Sequence, residues 1–425
     1  MSRAKLIITL VLAGEMVFSL PFHTARFFRP VLLDVFSFTN TELGDLFAVY
    51  GVMAMLSYFP GGALADRYSA RNLLTASLAA TAAGGLYMAT IPGATGMAML
   101  YGFWGLTSIL LFWGALIRAT RDWGGDKAQG KAFGILEAGR GFVAASVAGV
   151  VVAIFAWYMP EVVEQATAEE KRTAFQAVIL SYSVATAIVG ILVWFSIPEP
   201  EGEYERSSSP ITGMKVVLSR PVIWAQAAVI VCAYCGYKGG DFYAEYAKQA
   251  FLMNDVEAAG FVTIATYLRP IGAIVAGVLA DRFDTIRVIG VGFALMVISY
   301  FSMSLLSPDG IGATLIYINV SVSFFAVFGL RGVYFALLEV NRTPKQVTGA
   351  AVGMASLIGF TPEIFFAPIA GRIIDATPGL AGLQHFFLFL CSIASIGLLA
   401  VGWMLWLRRR GVESLWPVAY QQGRS

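Results

Sequence analysis

Apolar runs of about twenty residues, repeated along nearly the whole chain, constrain this protein more than any other feature of its sequence. A bilayer's hydrocarbon core is roughly 30 Å thick, and a helix of ~20 predominantly apolar residues crosses it. Such runs fall near 6–33, 43–64, 72–92, 97–117, 131–158 and 174–197 in the first half. The second half has them near 221–248, 258–280, 286–306, 312–338, 347–374 and 383–407. The expectation is an all-α membrane protein of twelve transmembrane helices in two six-helix repeats. Composition agrees: of 425 residues 58% are hydrophobic and only 13% charged, where a soluble domain carries roughly 25%.

Between the halves, PEPEGEYERSSSPITGMKVVLSR is the one long polar, proline- and serine-containing stretch, and it reads as a linker. The chain therefore divides into a six-helix bundle at 1–197, a cytoplasmic linker at 198–220, a second bundle at 221–410 and a cytoplasmic tail at 411–425. MSRAK leads into apolar residues without a small-residue cleavage site, so an uncleaved first span is expected. With both termini cytoplasmic, 19 of the 29 Lys and Arg fall in cytoplasmic segments and four (Lys171, Arg172, Lys248, Arg372) on the outer side. That asymmetry is what the positive-inside rule demands. The other six, Arg26, Arg29, Arg140, Lys238, Arg269 and Arg331, lie within spans.

A charge at mid-membrane costs roughly 2.5–3.5 kcal/mol on insertion scales, so these side chains are expected to face protein or a water-filled cavity. Acids accompany them: Glu15, Glu137, Asp241, Glu245 and Glu363. Lys238 and Asp241, like Glu137 and Arg140, are three residues apart on one helix face. Each pair reads either as a strut that lets its helix enter lipid or as part of a site. Pro270 beside Arg269, Pro362 beside Glu363, and Gly236, Gly239 and Gly240 around Lys238 soften their helices, which suits a site or a hinge. His23 reads either as a proton relay or, as is commoner for a lone histidine near a helix end, as a packed or hydrated residue.

Other chemistries find no support. Cys232 and Cys235 form a CxxC inside an apolar helix, without a second such motif and with only two histidines in the chain, and read as packing residues. There is no phosphate-binding glycine loop, metal-ligand cluster or nucleophile–base pairing with local support. The chain is therefore expected to be no enzyme, to need no cofactor or metal and to bind no nucleic acid.

GALADR at Gly62–Arg67 recurs as GVLADR at Gly277–Arg282, and Gly130-x-x-x-Gly134 is echoed by Gly349-x-x-x-Gly353. Duplicated six-helix units with a site between them are a transporter plan. Gly62-x-x-x-Asp66-Arg67-x-x-x-Arg71 resembles the loop motif of the major facilitator superfamily, and the second copy agrees with it. The resemblance implies that Asp66, Arg67, Arg71, Asp281 and Arg282 are gating charges that latch the two halves on the cytoplasmic side. It also implies that helices 3, 6, 9 and 12 lie outside a central cavity. Those four carry no charge in their interiors here.

Within the superfamily, Trp113-x4-Arg118-x4-Trp123, the stretch from Phe38 to Gly44, and Asp241 are similar to the organophosphate:phosphate antiporters. The chain departs from them where it has His23, Tyr58, Arg140 and Gly236. The expected activity is secondary transport, by symport or antiport, of a small polar organic solute, an organic anion such as a sugar phosphate, sugar acid or carboxylate. Arg26, Arg140, Lys238, Arg269, Arg331 and Tyr237 are the expected substrate-binding residues. Glu15, Glu137, Asp241 and Glu363 are the expected coupling residues, with a proton or a counter-anion as partner. The protein is expected to be a monomer in a bacterial inner (plasma) membrane. A multidrug or metabolite exporter of the same fold, and a non-transporting sugar-phosphate sensor, are the alternatives.

Overall fold

A computed structural model describes residues 3–125, 129–198, 219–306, 311–337 and 357–411. Nearly all of the 198–220 linker, the Gly349 and Gly353 echo and the tail from 412 lie outside the described residues. In the first half the helices are α1 (Arg3–Met16), α2 (Thr24–Phe27), α3 (Arg29–Phe36), α4 (Asn40–Arg67) and α5 (Ala70–Met88). They continue as α6 (Ala94–Gly105), α7 (Gly114–Gly124), α8 (Gln129–Tyr158) and α9 (Ala168–Ser196). The second half has α10 (Pro221–Gly239), α11 (Tyr243–Phe251), α12 (Asp255–Thr266) and α13 (Leu268–Arg282). It closes with α14 (Thr285–Leu305), α15 (Ile311–Val333), α16 (Pro362–Ala376) and α17 (Leu380–Arg409). No strand occurs among the described residues.

Nine helical stretches among the described residues are long and apolar enough to cross a membrane, or eleven if two bent pairs each count as one span. The first span is one of those pairs. Arg3–Met16 and Ser19–Phe27 meet at 43°, so the expected continuous helix over 6–33 is broken. A five-residue π turn, Ser19–His23, sits at the bend and contains Pro21. Proline has no N–H to give, and kinks of this size gather at prolines and π turns. Hydroxyls serve the backbone at the break: Met16 O accepts from Ser19 Oγ at 2.7 Å and from Thr186 Oγ1 at 3.2 Å.

α5, over the expected third span, is not among the eleven. Its small and hydroxylated side chains instead serve its neighbours. Ser77 Oγ donates to Thr107 O at 2.7 Å, inside the π-helical stretch Leu106–Trp113 between α6 and α7. Trp104 Nε1 in turn donates to Thr81 O at 3.2 Å. The seventh span breaks where the glycines predict it. α10 ends at Gly239 and a 3-10 turn, Gly240–Phe242, leads into α11.

Contacts group the chain into two units. The first contains 1–206, 240–270 and 363–383. In it α5 and α9 lie side by side, and α8 packs on α1. Gly139 makes that approach possible, since a Cβ there would fall 2.7 Å from Val11 Cγ1. α4 and α16 are as close, because a Cβ on Gly51 would fall 2.6 Å from the Glu363 carbonyl. The second unit contains 207–239, 271–362 and 384–425. Its α14 and α15 pack together. Asp284 Oδ1 caps α14 by accepting from Arg287 N at 3.1 Å, and Asp284 also pairs with Arg408 near the end of α17. Three of the five cuts between units fall at Gly239/Gly240, Pro270/Ile271 and Pro362/Glu363, the softened positions of the sequence.

Candidate functional site

Glu15, near the end of α1, is the centre of a buried charge cluster of the first unit. Its carboxylate is 2% exposed and its two oxygens hold different guanidiniums. Arg140 Nε of α8 donates to Oε2 at 3.0 Å, and Arg269 Nη1 of α13 donates to Oε1 at 2.9 Å. His23 Nε2 lies 3.2 Å from Oε1. Glu137 completes the group, with Oε1 2.6 Å from Arg140 Nη1 and Oε2 3.7 Å from Arg269 Nη2. The Glu137 side chain is 41% exposed, so it forms the open edge of an otherwise buried cluster.

The backbone makes room for this geometry. A Cβ on Gly141 would fall 2.8 Å from Arg269 Cγ, so only a glycine lets the Arg269 stem lie across α8. The Arg140 guanidinium is further held over Phe18 and Trp113, 5.5 and 5.9 Å from the ring centroids. Removing one partner from a buried pair of this kind is far more costly than never having built it. Chemically, two forked cations fixed around one carboxylate make a receptor for carboxylate or phosphate oxygens.

A second cluster of the same unit follows along the first span. Arg26 Nε donates to Asp241 Oδ1 at 2.6 Å. Arg29, fully buried, donates from Nε to Asn40 Oδ1 at 2.8 Å, and that nitrogen lies 3.3 Å from Glu245 Oε2. Its guanidinium stacks on Phe242 at 3.8 Å. Asn40 Nδ2 donates to Glu245 Oε1 at 2.9 Å. Asp241 thus engages Arg26, a partner that the three-residue spacing to Lys238 did not suggest. The 3-10 turn over Gly240–Phe242 interrupts the helix on which that spacing was read.

In the second unit, Arg331 of α15 stacks over Tyr237 at 3.8 Å and faces Tyr234 at 5.6 Å. Lys238 is buried in α10. Back in the first unit, Glu363 is half-buried in the first turn of α16. The expected gating charges lie at helix ends: Asp66 and Arg67 close α4, and Asp281 and Arg282 close α13, all four exposed. Arg71 Nε donates to Ile197 O at 2.6 Å.

Three residues of these clusters, His23, Arg29 and Glu245, were not among the expected site residues. For His23 the usable signal was Pro21, which breaks the helix and swings the imidazole onto Glu15. For Arg29 and Glu245 there was none beyond their charge, because their partners come from segments distant in the chain.

Apolar helices folded around buried arginine–carboxylate clusters define a multi-pass membrane carrier. The chain belongs to the Major Facilitator Superfamily, whose family model matches residues 11–367. It is 27% identical to the inner membrane protein YihN of Escherichia coli (strain K12) over 400 residues, 91% of this chain and 92% of that one. It is 29% identical to a probable nitrate transporter, NarT, of Staphylococcus haemolyticus over 164 residues, 37% of this chain and 38% of that protein. Among solved structures, the nucleoside transporter NupG shares the fold with a TM-score of 0.70 at 12% identity, covering 95% of this chain and 98% of that one.

Proposed function

We propose that this protein is a secondary active transporter of a small organic anion, working by alternating access in a bacterial inner membrane. The single observation that carries the reading is the sharing of one buried carboxylate, Glu15, by Arg140 and Arg269. A site whose resident anion is a side chain can take a substrate carboxylate or phosphate in its place. Glu137, at the open edge, marks the side from which a solute reaches the guanidiniums.

Sugar phosphates, sugar acids and small carboxylates are the substrate classes proposed. The resemblance to the organophosphate:phosphate antiporter group and the similarity to a nitrate transporter both support an anion. Arg26, Lys238, Arg331 and Tyr237 are proposed to assist binding, and Asp241 and Glu363 to assist coupling. Asp66, Arg67, Arg71, Asp281 and Arg282 are proposed as gating charges. α5 is proposed as the twelfth span, with both termini cytoplasmic and the monomer as the working form. The distribution of Lys and Arg supports that orientation.

Counterflow uptake in proteoliposomes tests the reading, using glucose 6-phosphate, gluconate and lactate. Arg140→Ala, Arg269→Ala, Lys238→Ala and Arg331→Ala run beside wild type. Exchange of an anion by wild type, lost in the folded Arg140 and Arg269 variants, is the expected result. Transport of a neutral or cationic solute that tolerates both substitutions overturns it.

A further inference from the structure

The imidazole of His23 is buried, with Nε2 on Glu15 Oε1 at 3.2 Å. Its other nitrogen, Nδ1, is also buried and makes no hydrogen bond among the described residues. Buried polar atoms are rarely left so, and each exception asks for a reason. The ring is otherwise walled by aromatics, edge-on to Phe27 at 5.5 Å and to Tyr182 at 6.0 Å.

We propose that Glu15 and His23 carry the coupling proton, and that one proton is taken up with each anion that binds at Arg140 and Arg269. The inference rests on the anion reading above and adds the coupling ion and its carrier. The groups facing Glu15 are Arg140 and Glu137 from α8, Arg269 from α13 and His23 from the π turn. Arg26 from α2 and Tyr182 from α9 lie within electrostatic range of His23 and Glu15 respectively. With His23 neutral, the charges of Arg140, Arg269, Glu15 and Glu137 sum to zero. An anion that displaces Glu15 from the two guanidiniums leaves a second carboxylate buried without its partners. Such a group takes a proton.

The imidazole can deliver it. A proton arrives at Nδ1, the imidazolium gives its Nε2 proton to Glu15 Oε1, and a neutral Nδ1–H tautomer remains. No bond other than N–H and O–H changes, and one proton has moved from one ring nitrogen to the carboxylate. Glu15, now uncharged, no longer competes for Arg140 and Arg269. When the anion leaves, the carboxylate loses its proton and returns to them.

The test uses the full chain in detergent and measures binding of glucose 6-phosphate, gluconate, lactate and nitrate between pH 5.5 and 8. For any monoanion that binds, wild-type affinity should fall about tenfold per pH unit on the alkaline limb, as linkage of one proton requires. In weakly buffered solution one proton should disappear per anion bound, a reading that needs no variant. Glu15→Gln should bind with an affinity flat in pH. His23→Gln should keep the equilibrium slope but slow proton-driven uptake at least tenfold. An anion bound with pH-independent affinity and no proton uptake overturns the inference while leaving the anion reading intact. The slope surviving in folded Glu15→Gln also overturns it. Absence of binding by all four anions overturns the anion reading, and this inference with it.

Discussion

Arg269 reaches Glu15 across 254 residues of chain and meets it at 2.9 Å, with both side chains almost wholly buried. A carboxylate near the end of α1 is thus held by a cation in the first turn of α13. Breaking a buried pair costs about 3–5 kcal/mol, most of it the desolvation of the orphan. Arg269→Ala should therefore destabilise the protein strongly, and Glu15→Ala in the same chain should recover part of the loss. A double-mutant cycle by unfolding in detergent should give a coupling of about 1–3 kcal/mol. Additivity within about 0.5 kcal/mol would show that the pair contributes nothing. Arg269→Lys should not restore anion binding, because an ammonium lacks the planar fork.

Gly141 is a position where a single methyl group should disturb the Arg269–Glu15 pair directly. Its Cβ would sit 2.8 Å from Arg269 Cγ and 2.9 Å from Cδ. Gly141→Ala should push the Arg269 stem off α8 and lower anion affinity at least tenfold. The fold should survive, since alanine is the better helix former by about 1 kcal/mol. Titration of the anion together with a melting curve separates the two effects. Unchanged affinity would mean that Arg269 has another route to the site.

The approach of α4 to α16 invites a cross-link. Arg372 holds Asp45 with two nitrogens, at 2.9 and 3.2 Å, on an exposed edge, where such a pair adds no more than about 1 kcal/mol. Nearby, Asp375 accepts from Thr41 N at 2.7 Å and so caps α4 from α16. Cysteines at positions 45 and 372 should couple readily through a short bifunctional reagent. Adding Gly51→Leu, which collides with the Glu363 backbone, should cut the yield several-fold. An undiminished yield would refute the close approach.

Acid should reveal the Asp284–Arg408 pair. Burial raises the Asp284 carboxyl, but the Arg408 hydrogen bond and the Arg287 backbone N–H outweigh it and hold the group below its ordinary value. A depressed carboxyl contributes stability above its unfolded value, about 3.9, and loses it as pH falls through the folded one. Asp284→Asn keeps the helix cap and removes the charge. The variant should melt slightly below wild type at pH 6, and the gap should close below about pH 4. A gap constant to pH 3 would show that the Asp284 charge is not what the variant loses.

Much of the fold was legible in the amino-acid sequence. The helical class, the charged spans and the weak points at Gly239, Gly240, Pro270 and Pro362 follow from local chemistry, and three of the five unit boundaries fall there. Pro21 carried the same signal, but its long apolar surroundings masked it. The Glu137–Arg140 spacing predicted a real contact, at 2.6 Å. It did not predict that Arg140 would spend its Nε on Glu15.

Local pattern by itself determined that this chain is a bundle of membrane-crossing helices, where they soften, and which of them carry charge. Helix period, hydropathy and proline act within a few residues, so one sequence suffices to read them. Only the tertiary structure decided which charges meet. Arg26 takes Asp241, Arg29 lies by Glu245, and Arg269 with Arg140 takes Glu15. Any of these cations could neutralise any of these acids on paper. Close packing at glycines such as Gly139 and Gly141 selects the partners, because the pairing is set by which backbones can approach, not by charge alone.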